Sequence, residues 1–498
     1  MNHQSTMASQ EGSSQIISLK VLIDKKNNRV VMAEAESDFV DILFNFLTMP
    51  MGTIVRLISK HPEPATIGSL TSLYKEVENL EEQLLQSHVC KSMLLHPRNP
   101  SETRCGKLKL NIDDTKAKYY TCADWINCCR RSCGYYSTFK NVACNNCWKV
   151  MDKVIYMEKE DPEGDGGVFV CGLTKFMVTD DLHVEPMSPA TMLTLLQRLG
   201  IKERSSIQEN TLSIGSEEIL NLLKGSLFSK TPLTDVFLRK RGFTSEALKF
   251  DIGDALQSKS SGSTLFRFPR DMSMKLTMSK SMNKASYAEA GEDMGNFLLS
   301  FLTLPLGSIL QLLDGNSSLG SMDNLYKSVE CSKVTRDDSL RDLLLHPGLC
   351  HGSYNPLGVN ETNMPNYLWC TSYENPQNKD KPYTVYLTTE QQSNRGCTNE
   401  YCYRLRCKSP TTETTGRGFL KGPSTFMVTD NLGFTPLVSM WSLSLLKIME
   451  GPLDDLEVRM VSVGEEQALK LLKATLLTKS VLTDVFVNIG LKTPKQEK

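Results

Sequence analysis

"FMVTDDLHVEP" occupies residues 176–186 and "FMVTDNLGFTP" occupies 426–436. Phe176, Met177 and Val178 form a short β-prone run. Asp180–Asp181 (Asp430–Asn431 in the second phrase) suit a tight turn, because Asp and Asn tolerate the left-handed region and bond their own backbone. Leu182 and Val184 alternate along a return strand that Pro186 ends. Ser188 then offers a helix N-cap, with Pro189 at the first helical position. Met192, Leu195, Leu196 and Leu199 fall on one helical face, and Gly200 stands where a C′ glycine belongs. The phrase therefore predicts strand, turn, strand, helix.

An earlier stretch, "LKVLIDKKNNRVVMAEAESDFVDILFNFL" (19–47), predicts the same order. Asn27–Asn28 suit its turn, Ser37 its helix cap, and Val40, Leu43, Phe44 and Leu47 its apolar face, with Pro50 and Gly52 as breakers. Other phrases also return. "FLTMPMG" (46–52) recurs as "FLTLPLG" (301–307), and "GSLTSLYKEVE" (68–78) as "GSMDNLYKSVE" (320–330). "LLHP" stands at 94–97 and 344–347, "LTDVF" at 233–237 and 482–486. The offset stays between 249 (482 against 233) and 255 (301 against 46). A period far above the 20–50 residues of a solenoid implies duplication of a whole domain.

The expected fold class is α+β, with two homologous tandem domains, each of short antiparallel β-hairpins packed on helices and a loop-rich middle. The expected limits are a polar N-terminal segment 1–16, a first domain 17–240 with a Cys-rich excursion 98–165, and a linker 241–272 containing "SKSSGS". A second domain 273–491 with an excursion 348–418, and a tail 492–498, complete the chain.

A length of 498 residues requires more than one ordinary core, and a net charge of −1 gives no electrostatic case for nucleic acid. The first fifteen residues lack the apolar stretch of a secretory signal, and no run approaches the roughly 18 apolar residues of a spanning helix. A cytoplasmic or nuclear protein away from membranes is expected, with its 15 cysteines reduced.

Together, "AEA…DFVDILFNFLTMPMG", "LYKSVE", "LLHP" and "FMVTD(D/N)L" resemble a plant-specific family known only as domain of unknown function family 674, over about residues 17–490. The resemblance implies a plant protein carrying the domain twice, with cysteines in mid-domain. It implies no activity, so no catalytic residue is transferred.

Residues 119–151 hold Cys122, Cys128, Cys129, Cys133, Cys144 and Cys147. Cys144-x2-Cys147 is the close pair that aims two sulfurs at one ion, with Asn145–Asn146 as the turn. Cys122 with Cys128 or Cys129 supplies a second pair. With no histidine nearby, an all-thiolate, structural zinc site is expected, drawn as Cys122, Cys128, Cys144 and Cys147. Unpaired packing thiols and redox chemistry are the alternatives, since the ribbon spacing is not met. Cys370, Cys397, Cys402 and Cys407 are the weaker counterparts in the second domain.

No P-loop, dinucleotide fingerprint, zinc-protease helix or nucleophile elbow is present. The recurring His96 and His346 suit helix ends; Asp38/Asp293 and Asp235/Asp484 suit first turns. Glu34 and Glu289 are the carboxylates left as catalytic candidates. The sequence favours a non-enzymatic interaction protein with an unidentified protein partner and structural zinc. An enzyme with a cleft between pseudo-symmetric halves, or nucleic-acid binding through the Cys-rich region around Arg130, Arg131, Lys140 and Lys149, are the other readings.

Overall fold

The computed structural model describes residues 15–113, 115, 118–124, 128, 134–157, 167–240, 242, 272–331, 334–350, 354–361, 367–372, 384–389, 402–408, 418–422, 424–437 and 452–487. Most of the expected N-terminal segment 1–16, nearly all of the linker 241–272 and the tail 492–498 lie outside these residues.

The protein is an α+β fold. Its first half contains β1 (Ile17–Asp24), β2 (Arg29–Ala35), α1 (Ser37–Thr48), α2 (Met51–Ser59), α3 (Leu70–Asn79), α4 (His88–Leu95) and the single turn α5 (Glu102–Cys105). There follow β3 (Tyr119–Cys122), β4 (Gly134–Tyr136), β5 (Val142–Ala143), β6 (Val150–Met157), β7 (Phe176–Thr179), β8 (Val184–Pro186), α6 (Pro189–Arg198), β9 (Ile207–Ile214) and α7 (Ser216–Phe228). The second half contains β10 (Met272–Ser279), β11 (Lys284–Ala290), α8 (Glu292–Ser300), α9 (Leu306–Leu312), α10 (Met322–Glu330) and α11 (Asp338–Leu345). It continues through β12 (Tyr367–Ser372), β13 (Thr384–Thr389), β14 (Cys402–Cys407), β15 (Phe426–Thr429), β16 (Phe434–Pro436), β17 (Leu456–Val463) and α12 (Glu465–Leu477).

Two five-stranded antiparallel sheets follow the same order, β8-β7-β2-β1-β9 and β16-β15-β11-β10-β17. Strand β1 shows the cause: Ile17, Leu19, Val21 and Ile23 are buried while Ser18 and Lys20 are exposed, the period-2 alternation of a sheet with one covered face. In α1 every residue but Asp38 is buried, far more than the one expected stripe. A helix enclosed on all sides needs partners all round, and α9 of the other half packs against it.

Local chemistry differs from expectation at two points. Glu36, not Ser37, is the N-cap of α1; Ser37 is the first helical residue. In the opening phrase the left-handed residue is Leu182 (φ 62°), as is Leu432 (φ 60°) in its repeat, rather than an Asp or Asn. The acids are committed elsewhere. Asp180 accepts from the Thr234 amide (2.8 Å) and hydroxyl (2.7 Å), and Asp181 accepts from Thr179 Oγ1. Full burial of the Leu182 and Leu432 side chains offsets the roughly 1–2 kcal/mol cost of that backbone. Ser188 caps α6 as expected, in a reciprocal box with Thr191, and Gly200 is left-handed just past its end (φ 69°).

The two excursions are less loop-like than expected, for their strands build a shared sheet, β3-β6-β13-β12-β14-β4, with β5 beside β6. Strands from opposite halves pair in parallel, β6 with β13 and β4 with β14. Tyr120 and Ser137 exchange two 2.8 Å backbone hydrogen bonds, which links the end of β4 back to β3 and closes the path. Parallel partners more than 200 residues apart leave no local pattern to read.

The halves contact each other reciprocally. Pro50 and Pro305 face each other in an antiparallel bridge, with Met51 N–H on Leu304 O (2.9 Å) and Leu306 N–H on Met49 O (3.0 Å). Ser69 donates its amide to Thr475 O (2.9 Å) and its hydroxyl to Thr478 O (2.7 Å). Ser321 does the same to Ser226 O and Ser229 O, both at 2.8 Å. One hydrophobic cluster runs through both halves.

Asp41 of α1 anchors the chain past the Cys-rich region. Its carboxylate accepts the amides of Val168 (2.6 Å), Phe169 (2.7 Å) and Val170 (3.0 Å). Burial pushes its pKa up to about 6, against the pull of those three donors. A carboxyl with a raised folded pKa contributes stability that is full below the unfolded value and lost as pH rises through about 6. Between pH 4 and 7 the parent should therefore lose stability relative to Asp41→Asn, by about 1–3 kcal/mol. Urea midpoints of both proteins at the two pH values check this; parallel curves would refute it.

Candidate metal centre

Cys122 ends β3, which pairs with β6 through Cys122↔Met151. Cys144 and Cys147 lie in the tight connection between β5 and β6. That loop is closed by two backbone bonds, Cys144 N–H to Lys149 O and Trp148 N–H to Cys144 O, both 2.9 Å. Cys128 sits in a helical turn, its amide on Asp124 O (3.1 Å), and Asn146 Nδ2 donates to its carbonyl (3.4 Å). Three separate segments thus converge, and the sulfurs of Cys122, Cys128, Cys144 and Cys147 all lie within 4.8 Å of one another.

The spacing fits an ion. Sulfurs bound at 2.3 Å around a tetrahedral metal are about 3.8 Å apart, and Cys122 and Cys128 are 3.6 Å apart. A disulfide needs about 2.05 Å, and all four thiols are free. Cys122, Cys128 and Cys144 are buried, and Cys147 is half-buried. Burial raises the pKa of Cys122 and pushes Cys128 up to about 11. Burial opposes ionisation of Cys147 as well, but the Lys149 amide and the neighbouring thiols hold it below the ordinary thiol value. A cation at the centre is the group that would let four such sulfurs ionise together. The chemistry available is structural: four ligands fill a tetrahedron and leave no position for substrate.

A buried ion pair braces this module from below. Arg98 pairs with Glu102 and donates Nη1 to the carbonyls of Lys118 (2.9 Å) and Thr138 (3.0 Å). Tyr119 donates its hydroxyl to Glu102 (2.9 Å) and lies beneath the Arg98 guanidinium. Cys350 of the other half donates to Arg98 O (3.2 Å). Only the i,i+4 spacing to Glu102 is local to Arg98; its carbonyl partners Lys118 and Thr138 lie 20 and 40 residues on and leave no sequence signal.

Family membership follows from a whole-chain comparison. A family described as "Protein of unknown function (DUF674)" matches residues 13–466. The chain belongs to this family. No curated protein and no solved structure matches the chain. Family membership therefore brings no ligand with it, and the four-cysteine cluster rests on its own geometry.

The other candidates are scattered. Cys129 and Cys133 lie outside the described residues, as does Cys397. Cys370 and Cys402 are direct cross-strand partners between β12 and β14. Cys402 and Cys407 stand at opposite ends of β14, roughly 16 Å apart by strand rise, too far to bind one tetrahedral ion. The proposed second-half set of Cys370, Cys397, Cys402 and Cys407 is corrected accordingly. Glu34 is ion-paired to Lys175, and Glu289 to Lys275 (3.5 Å). A cleft of 420 Å³ is lined by Lys284, Asp430, Lys479 and Ser480 among others and does not include Glu34 or Glu289, and Asp430 is held by the Thr483 amide and hydroxyl, both at 2.8 Å. Arg130 and Arg131 lie outside the described residues, and Lys149 pairs with Asp124 (3.4 Å), a mixed-sign face. Among the described residues no helix is long and apolar enough to cross a membrane.

Sequence reasoning passed over Trp148. It follows Cys147 directly, is left-handed (φ 59°) and is 80% exposed. Val150 and Val154 are exposed along the adjoining strand β6.

Proposed function

We propose that the chain is a non-enzymatic interaction protein of the plant cell, in the cytoplasm or nucleus, built from a duplicated domain and carrying one structural zinc ion on Cys122, Cys128, Cys144 and Cys147. The observation that carries this is the exposed Trp148 beside four converging sulfurs. A large aromatic in a left-handed backbone costs about 1–2 kcal/mol, and its exposure gains nothing from the protein's own core. Trp, with Tyr and Arg, is enriched among the residues that carry most of the binding energy of protein interfaces. A zinc ion would fix the hairpin that presents it, so that little ordering entropy remains to be lost on binding.

The partner is a protein with an apolar pocket for the indole, and Val150 and Val154 extend the apolar contact. Affinity capture from plant extract with the parent and Trp148→Ala tests the reading. Proteins bound by the parent should fall at least tenfold with the variant, while metal content and thermal midpoint stay unchanged. Equal recovery by both would remove Trp148 from the interface.

A further inference from the structure

The two five-stranded sheets differ at one edge. Among the described residues, β17 pairs with β10 and has no strand on its other side, and β9 has the same position beside β1. In β17 the residues opposite Thr277 and Lys275 are Val458 and Met460, which are 62% and 65% exposed. In β9 the matching positions, opposite Leu22 and Lys20, hold Glu209 and Thr211. On the alternate face of β17, Glu457 and Arg459 form an exposed ion pair of 2.7 Å. An edge strand offers a row of unpaired amides and carbonyls, and charge is the usual device that protects it. β9 has that protection on its outward face; β17 has apolar side chains there.

We propose that β17 pairs antiparallel with β17 of a second copy of this chain, in a register centred on Val458. This register sets Val458 against itself and Leu456 against Met460, twice. It also sets Glu457 against Arg459, twice, so each charge meets its opposite across the strands as well as along its own. The contact is isologous and closes as a two-fold dimer, joining two five-stranded sheets edge to edge. The same pairing through β9, centred on Glu209, sets two carboxylates face to face. Association through β17 therefore stops at two copies instead of growing into a filament.

Sedimentation of the full chain between about 1 and 100 µM tests this, since a single strand pair supports an affinity of roughly micromolar order. The parent should pass from monomer to dimer in that range. Val458→Lys should remain a monomer. Glu457→Arg and Arg459→Glu alone each set like charges opposite each other and should weaken the dimer at least tenfold; combined, they restore opposite charges and should recover it. The three positions changed, Glu457, Val458 and Arg459, are at the surface, so thermal midpoints should match the parent. A parent that is monomeric at 100 µM, a dimer indifferent to Val458→Lys, or a double variant no better than the singles would each overturn the proposal. A monomer whose β17 binds an extended peptide from another protein would overturn it as well.

Discussion

Gly320→Val is expected to destabilise the protein by roughly 3–5 kcal/mol, combining the left-handed penalty with overpacking. Gly320 has φ 45°, a region in which a Cβ is strained. A Cβ there would also lie 2.4 Å from Ser226 O and 2.7 Å from Leu227 C, which are backbone atoms of the opposite half. No rotamer change relieves a clash with a carbonyl. The Ser321 amide and hydroxyl hold that carbonyl and the next turn in place, so relief requires the halves to part. Gly68 is the reciprocal case, with φ 43° and a Cβ 2.4 Å from Thr475 O, and Gly68→Val should cost as much. Gly200 is the control. It is left-handed too (φ 69°), but nothing lies within 4 Å of its Cβ position. Gly200→Ala should therefore cost only about 1 kcal/mol. Urea and thermal midpoints of the three variants check the set. Gly320→Val no worse than Gly200→Ala would mean that the halves are not packed through this contact.

Removal of the proposed zinc should have the largest local effect. About one zinc per chain is expected in protein purified without chelator, and none in Cys144→Ser/Cys147→Ser. Structural zinc contributes roughly 10–16 kcal/mol to finger peptides at neutral pH, so the hairpin of β5 and β6 should open in the variant. Two features keep the loss local. The five-stranded sheets and the helices between them form the bulk of the core, and Arg98–Glu102 still ties the base of the module. Protease cleavage between 118 and 157 should appear in the variant, and in the parent with chelator, while the thermal transition of the remainder persists. Protein free of metal when purified without chelator would leave the four thiols as packing groups.

Much of the hairpin architecture was legible. β1 alternates, β2 and β7 are short apolar runs, each hairpin carries turn residues, and α6 carries its own start and stop signals in Ser188, Pro189 and Gly200. The cysteine pair at 144 and 147 was also legible, because a C-x2-C turn brings two sulfurs to one side of a loop. The sequence also drew Cys122 and Cys128 as the second pair; the β3–β6 pairing, which sets Cys122 opposite Met151, shows how the first of them reaches the hairpin. Trp148 carried no signal, since the sequence of an exposed tryptophan and a core tryptophan is the same. Leu182 was misjudged for a related reason: turn statistics favour Asp or Asn in the left-handed position, and they omit the burial that makes a leucine tolerable there.

The sequence alone determined that two stretches with matched phrases fold into matched strands and helices, because strand and helix periods are local. It could not determine what those phrases touch. "FLTMPMG" and "FLTLPLG" meet each other at Pro50 and Pro305, and Gly68–Ser69 and Gly320–Ser321 each dock on the final helix of the opposite half. An apolar face states that it must be buried, not against which surface. A glycine states that a side chain is excluded, not which carbonyl excludes it. Those answers depend on atoms more than 90 residues away in the chain, and only the tertiary structure brings them together.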